Sequence, residues 1–217
     1  MVYAETIGET AVGVLLFLQP LQSLVDVPVA PMDTEGVVRG LCLERANEMF
    51  VHLIVLTDQS TERWRIIDKG GDALALERTE LFEDADGLAS CAPRGREIIG
   101  VEPGGVTRPI IDPAWGFSNG SDVAGLENID GLWTIVTRPD EPAASLVGPN
   151  TKDVALTFVD GLNAPAIASP ALVAASDANY GGSYSSGVLL IAKDDAVNVV
   201  ELGGALSAAI TVLRADS

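Results

Sequence analysis

Histidine is almost missing from this chain: His52 is the only one in 217 residues. Cysteine occurs twice, at Cys42 and Cys91. With so few nitrogen and sulfur ligands, and no Cys-x-x-Cys pair, the usual structural zinc clusters cannot be assembled. Lysine is scarce as well. Lys69, Lys152 and Lys193 are the only lysines among 13 basic residues, which face 31 Asp and Glu for a formal net charge of −18. That field opposes the approach of a further polyanion, so nucleic acid and anionic lipid are not expected partners. Aromatic residues make up only 5% of the chain. A core must therefore be assembled from many small Ala, Val, Leu and Ile contacts.

Long hydrophobic runs are missing too. The run Ala11 to Leu18 follows Glu5 and Glu9, and no basic residue precedes Arg39. A membrane span needs about 20 apolar residues and a secretory signal needs a positive start, so neither membrane insertion nor a targeting segment is expected. The run reads as a buried strand. There is also no P-loop, no G-x-G-x-x-G and no paired-histidine helix.

What is present is an apolar content of 47%, ample for a sizeable core and against disorder of the whole chain. The length suits one large β domain or two small ones. The surplus of aspartate over lysine fits a halophilic protein, in which high salt screens self-repulsion, and equally fits plain solubility tuning. Cys42 and Cys91 permit one disulfide without demanding it; two buried free thiols are the expectation.

Short apolar runs punctuated by Gly, Pro, Asn and Asp predict strands throughout. Val37 to Leu43 alternates loosely, Met49 to Thr57 reads as a buried central strand, and Arg63 to Ile67 alternates polar with apolar. Asp58-Gln59-Ser60 and Lys69 to Asp72 carry turn chemistry between and after them. Glu77 to Asp86 and Leu43 to Phe50 are the two short helix candidates. The prolines of Pro93 to Pro113 predict edge strands or an extended loop. Trp115 to Asn128 reads as loop, Leu132 to Thr137 as a strand, and Ala143 to Asn150 as a connector. Val154 to Val159 alternates around Phe158. Val188 to Ala192, Val197 to Leu202 and Leu206 to Leu213, joined at Asp194-Asp195 and Gly203-Gly204, predict a closing β-meander. The fold class expected is mainly β: a β-sandwich, jelly roll or β-barrel with long loops and at most one or two short helices. A single domain over 1–217 with an extended N-terminal arm, Met1 to Thr10, is expected, with a possible subdivision into 1–142 and 151–217.

Gly116-Phe117-Ser118-Asn119-Gly120 matches the G-x-S-x-G pattern that places a nucleophilic serine on a strand-to-helix turn. No good strand precedes it, and His52 lies upstream of it. A serine hydrolase acting through Ser118 is thus the least favoured reading. His52, inside Phe50-Val51-His52-Leu53-Ile54, reads as a core or interface histidine with a satisfied hydrogen bond. The EF-hand pattern starting at Asp84 fails because its twelfth position is Gly95 rather than Glu. Glu83 to Gly87 and Asp194-Asp195 read as solvated acidic turns. Asn119-Gly120-Ser121 is an N-x-S triplet in a predicted surface loop. The loop Asn179 to Ser186, with Tyr180 and Tyr184 among Gly and Ser, is the candidate contact surface. No catalytic, cofactor-binding or metal-ligating residue is assigned, and the chain is not expected to be an enzyme or to use a cofactor.

Several general features stand together: the N-terminal stretch Met1 to Thr10, the text Ala164-Pro165-Ala166-Ile167-Ala168-Ser169-Pro170-Ala171, the near absence of histidine and the closing meander. In these the chain resembles virion structural proteins of bacterial and archaeal viruses: coat, capsid-decoration or tail-accessory subunits. The resemblance implies a jelly-roll or sandwich subunit located in the virion. It also implies symmetric homo-oligomers and contacts, through terminal arms and strand edges, with copies of itself and other virion proteins. The alternative expectation is an extracellular adhesion or carbohydrate-binding module using Trp115, Trp133 and Tyr184.

Overall fold

The computed structural model describes residues 2–7, 9–18, 23–45, 51–70, 73–82, 87–95, 97–110, 116, 118, 120–128, 131–138, 141, 143–148, 153–160 and 165–207. Seventeen strands run through them: β1 (Val2–Ile7), β2 (Glu9–Leu18), β3 (Ser23–Val27), β4 (Val38–Arg45), β5 (Val51–Thr57), β6 (Thr61–Ile67), β7 (Ala75–Phe82), β8 (Ser90–Arg94), β9 (Glu97–Val101), β10 (Thr107–Pro109), β11 (Asp122–Asn128), β12 (Gly131–Thr137), β13 (Ala144–Val147), β14 (Asp153–Leu156), β15 (Leu172–Ser176), β16 (Val188–Lys193) and β17 (Ala196–Glu201). The protein is mainly β, as the punctuated apolar runs predict. Each of its five sheets is an antiparallel meander of consecutive strands: β1–β3, β4–β7, β8–β10, β11–β14 and β15–β17. None closes into a barrel among the described residues.

The chain divides into two compact units, 1–91 and 92–217. Ala144–Val147, within the stretch where a possible subdivision was placed, form β13 of the sheet β11–β14.

In the first unit, the described residues of the stretch expected as an extended arm fall in β1 and the start of β2. β1 pairs with β2 from Val2↔Val14 to Ile7↔Glu9, so backbone hydrogen bonding absorbs the segment into a hairpin. Neither helix candidate forms within the described residues. Leu43 to Arg45 ends β4, and Glu77 to Phe82 lies in β7, paired with β6 from Thr61↔Phe82 to Ile67↔Ala75. Thr79, Glu80 and Leu81 face solvent in that strand, and Phe82 turns into the core. The acids suggested a helix surface, but pairing with β6 overrides that weak local preference. Residues 46–50 and 83–86 lie outside the described residues.

Within β5, Leu53 to Leu56 are buried on both faces, as a central strand requires. On one face of this sheet Val38, Leu53, Val55 and Trp64 form a core, with Met32, Leu41 and Leu76 packed against it. Cys42 of β4 and Cys91, at the end of this unit, form a disulfide with their Cα atoms 5.8 Å apart. This corrects the expectation of free thiols. Their sequence separation of 49 hid this proximity.

The second unit stacks sheets. Alternate residues of β11 to β13 (Ala124, Leu126, Trp133, Ile135, Ala144 and Leu146) meet Val173, Leu189 and Ile191 of the β15–β17 sheet in one core. That is sandwich packing, with inward side chains at a spacing of two along each strand. On the opposite face of β11 and β12, Val123 and Val136 pack with Ala92, Ile99 and Val101 from the β8–β10 sheet. β11 and β13 replace the loop and connector expected there. Their apolar residues are few, but Val123, Ala124, Leu126, Ala144 and Leu146 are all buried. Val188–Lys193 and Ala196–Glu201 confirm two strands of the closing meander. Of the third, expected over Leu206 to Leu213, the described residues 206–207 belong to a helix over 202–207, and 208–213 lie outside the described residues. Glu201 begins that helix. Its carboxylate accepts hydrogen bonds from the backbone N–H of Gly203 at 2.9 Å and of Gly204 at 2.5 Å, which satisfies two otherwise unpaired helix donors.

Candidate interaction surface

Side chains on an antiparallel strand alternate between faces, so a sheet covered on one side should read apolar-in and polar-out. The β15–β17 sheet breaks this rule. Its inner face, Val173, Leu189 and Ile191, is buried in the core. Its outer face carries Leu172 and Ala174 on β15, Val188, Leu190 and Ala192 on β16, and Val197 and Val199 on β17. Leu172 is 59% exposed, Val197 63% and Val199 49%. These seven side chains include no ionisable group. Glu201 stands at one corner of the face, its carboxylate turned to the helix start.

The register orders large and small residues across the face. Leu172 lies beside Ala192, which lies beside Val197; Ala174 lies beside Leu190, which lies beside Val199. At the far end Ser176 pairs with Val188. There the hydroxyl of Tyr180 donates to Ser176 Oγ at 3.1 Å, which sets a 60%-exposed phenol ring at the rim. Tyr180 belongs to the loop anticipated as a contact surface, which carries a single 3-10 turn at Gly182–Tyr184. Asn179 Oδ1 holds the N–H of Gly181 at 2.7 Å, where φ of 77° favours glycine.

His52 is half-buried on β5, facing Glu44 of β4, with Nδ1 3.5 Å from Glu44 Oε2. Arg63 Nε lies 2.9 Å from the same oxygen, and Arg63 also pairs with Glu80. The carboxylate that would orient His52 as a base is thus neutralised by a guanidinium, and Glu44, Arg63 and Glu80 form a cross-strand charge ladder beside it. Ser118 is exposed and precedes a strand, β11, rather than the helix that a nucleophile elbow needs. His52 belongs to the first unit and Ser118 to the second. Gly120 of the same motif is buried, its N–H bonded to the carbonyl of Gly105 at 2.7 Å, so this glycine serves packing.

Trp133 is 3% exposed in the sandwich core, which removes it from any glycan-stacking role. Trp115, Asn119, Asp84 and Asp86 lie outside the described residues. Asp194-Asp195 forms the two-residue turn between β16 and β17. No cluster of three His, Cys, Asp or Glu suited to a metal ion occurs among the described residues. No described helix is long and apolar enough to cross a membrane.

No protein-family model and no curated protein sequence matches this chain.

The outer face of β15–β17 was legible in principle. Val-Leu-Leu-Ile-Ala at 188–192 and Val-Asn-Val-Val at 197–200 lack the polar alternation of a half-solvated hairpin.

Proposed function

We propose that this chain is a non-enzymatic structural subunit of a virus particle, a coat or decoration protein. It docks through the outer face of β15–β17 and the Tyr180 rim. The observation that carries the proposal is the seven-residue apolar face on a sheet that is already covered on its other side. Contiguous apolar patches rimmed by polar residues mark protein interaction sites. Stacked meanders provide a stiff platform, and the disulfide staples the first unit from within. The acidic remainder of the surface, in a chain of net charge −18, suits an outward, hydrated face that repels polyanions.

Density-gradient-purified particles from a culture producing the chain provide the test. Mass spectrometry should find the chain at a fixed stoichiometry to the other particle proteins, and labelled antibody should decorate intact particles. A chain that stays wholly outside the particle fraction rules the assignment out. A fluorophosphonate probe should leave Ser118 unlabelled; stoichiometric labelling would restore the hydrolase reading.

A further inference from the structure

We infer that Cys42 and Cys91 form a redox-dependent lock: two thiols held side by side by a fold that forms without their bond, and cross-linked when the chain meets an oxidising medium. The lock lies within the first unit and works whether or not the chain belongs to a particle.

Hydrogen bonding and burial place each cysteine without help from the other. Cys42 lies midway along β4, whose ladder with β5 runs from Val38↔Thr57 to Arg45↔Val51 and sets Cys42 opposite Ile54. Ile54 has no exposed surface, so β4 is anchored on the face that carries the sulfur. Cys91 stands between two buried residues, Leu88 at 3% exposure and Ala92 at 6%. Ala92 in turn packs with Ile99, Val101, Val123 and Val136. None of these contacts uses the sulfur–sulfur bond. With the Cα atoms 5.8 Å apart, the spacing lies within the range that a disulfide spans.

Breaking the bond also leaves the main core of this sheet closed. Side chains alternate along a strand, so Leu53 and Val55 point away from the face shared by Cys42 and Ile54. Those two residues build the core with Val38 and Trp64, and no sulfur of either cysteine takes part in it. A dithiol form therefore keeps its fold in a reducing cytosol, where thiol pairs are held reduced.

The two cysteines differ in access. Cys42 is 8% exposed, whereas Cys91 is half-buried. A reagent from solvent accordingly meets Cys91 first. Oxidation by a low-molecular-weight disulfide runs as two exchanges. The Cys91 thiol gives its proton to solvent, and its thiolate attacks one sulfur of the reagent. A mixed disulfide forms at Cys91, and one reagent thiolate leaves and takes up a proton. The Cys42 thiol then loses its proton, and its thiolate attacks the Cys91 sulfur and expels the second reagent thiolate, which is protonated in turn. Two protein thiols are oxidised to one disulfide, and one reagent disulfide is reduced to two thiols.

The test starts from the full chain made in a reducing cytosol, quenched in acid and alkylated before any contact with air. Two alkylated cysteines are expected by intact mass. Unalkylated chain kept under reductant should retain the circular dichroism and amide NMR pattern of the oxidised form. Brief maleimide labelling of this reduced chain, followed by peptide mapping, should modify Cys91 at least about tenfold faster than Cys42. Oxidised glutathione should then close the bond, and in Cys42→Ser it should stop at a mixed disulfide on Cys91. The labelling ratio is read on the unsubstituted chain, so the order of attack stays measurable even if Cys42→Ser folds poorly. A chain already cross-linked in the reducing cytosol, a reduced chain that loses its strand signal, or Cys42 labelling as fast as Cys91 overturns the inference.

Discussion

Trp64 donates its indole N–H to Glu62, two residues earlier on the same face of β6, at 2.8 Å. Glu62 has no exposed surface. Its other carboxylate oxygen accepts from the Glu35 backbone N–H and from Ser60 Oγ, each at 2.9 Å, and lies 3.6 Å from Arg78 Nη1. A buried carboxylate survives in a core only when its lone pairs are filled in this way. Here it ties the segment before β4 to the sheet, with Thr57 Oγ1 donating to the Glu35 carbonyl beside it.

Glu62→Ala leaves an indole and a backbone N–H without their acceptor, at about 1–3 kcal/mol for each, while Ser60 Oγ can still donate to the Glu35 carbonyl at 3.2 Å. The effects share one pocket and are not additive, so a total loss of about 3–5 kcal/mol is expected in urea unfolding. Glu62→Gln keeps one acceptor oxygen but turns an amide N–H₂ toward a donor, and its loss should be smaller. A Glu62→Ala variant within about 1 kcal/mol of the parent would show that the carboxylate does not hold this segment.

The Cys42–Cys91 bond closes a loop with a sequence separation of 49. By the chain-entropy relation such a cross-link restricts the unfolded ensemble by about 4 kcal/mol. Reduction, or the double substitution to alanine, should lower the unfolding midpoint by a corresponding amount. Thiol titration of the native chain should find no free sulfhydryl. Two titratable thiols in protein purified without reductant would contradict the bridge.

The strand content was readable because turn residues interrupt apolar runs throughout the chain, and Leu53 to Leu56 had no polar partner face to suggest otherwise. β7 was misread because Glu77, Glu80 and the acids after Phe82 imitate a solvated helix. Only pairing with β6 identifies Ala75–Phe82 as a strand, and pairing is non-local information. β13 was missed for a related reason: Ala144 to Val147 is four residues long, and β12 and β14 flank it on both sides. The disulfide required knowing that two segments so far apart in sequence approach each other. As for the candidate surface, Tyr180 was found through its composition, whereas Leu172, Leu190, Val197 and Val199 needed the sheet's register to show which of its faces the core already covers.

Glu77 gives the chain one pH signature. Hydrogen bonds from Arg65 and Lys69 hold its carboxyl below the ordinary glutamate range. A depressed folded pKa contributes stability above the unfolded value, and that contribution disappears as pH falls through the folded one. The side chain is 43% exposed, so the effect is small and salt-sensitive. Glu77→Gln should therefore differ from the parent at neutral pH and low salt and converge with it in acid. Carbon-detected NMR should show Glu77 titrating below exposed glutamates; a titration above them would contradict the pairing.

Asp194 is one of two described non-glycine residues with positive φ, at 53°, in the tight turn where Lys193 pairs with Ala196. An L-residue tolerates that region poorly, and aspartate less poorly than most. Asp194→Gly should stabilise by a few tenths to about 1 kcal/mol, and Asp194→Val should destabilise by at least as much. Equal stability of the two variants would mean that the turn relaxes freely.

Gly125 reports how closely the sheets of the second unit stack. A Cβ built on it would lie 2.0 Å from the Pro93 carbonyl oxygen and 2.7 Å from Arg94 Cβ. Backbone crosses backbone there, with Arg94 Nη1 donating to Thr134 Oγ1 at 2.9 Å alongside. Gly125→Ala must push β8 off β11, and a loss of about 1–3 kcal/mol or more is expected from such overpacking. Gly40→Ala is the contrasting case. Its nearest neighbour is the Leu56 Cδ1 methyl at 3.3 Å, the end of a side chain that can shift by a few tenths of an ångström. That variant should stay within about 1 kcal/mol of the parent, with the reduced freedom of its unfolded chain offsetting part of the crowding. If urea unfolding ranks the two substitutions the other way, β8 and β11 are not in backbone contact at this point.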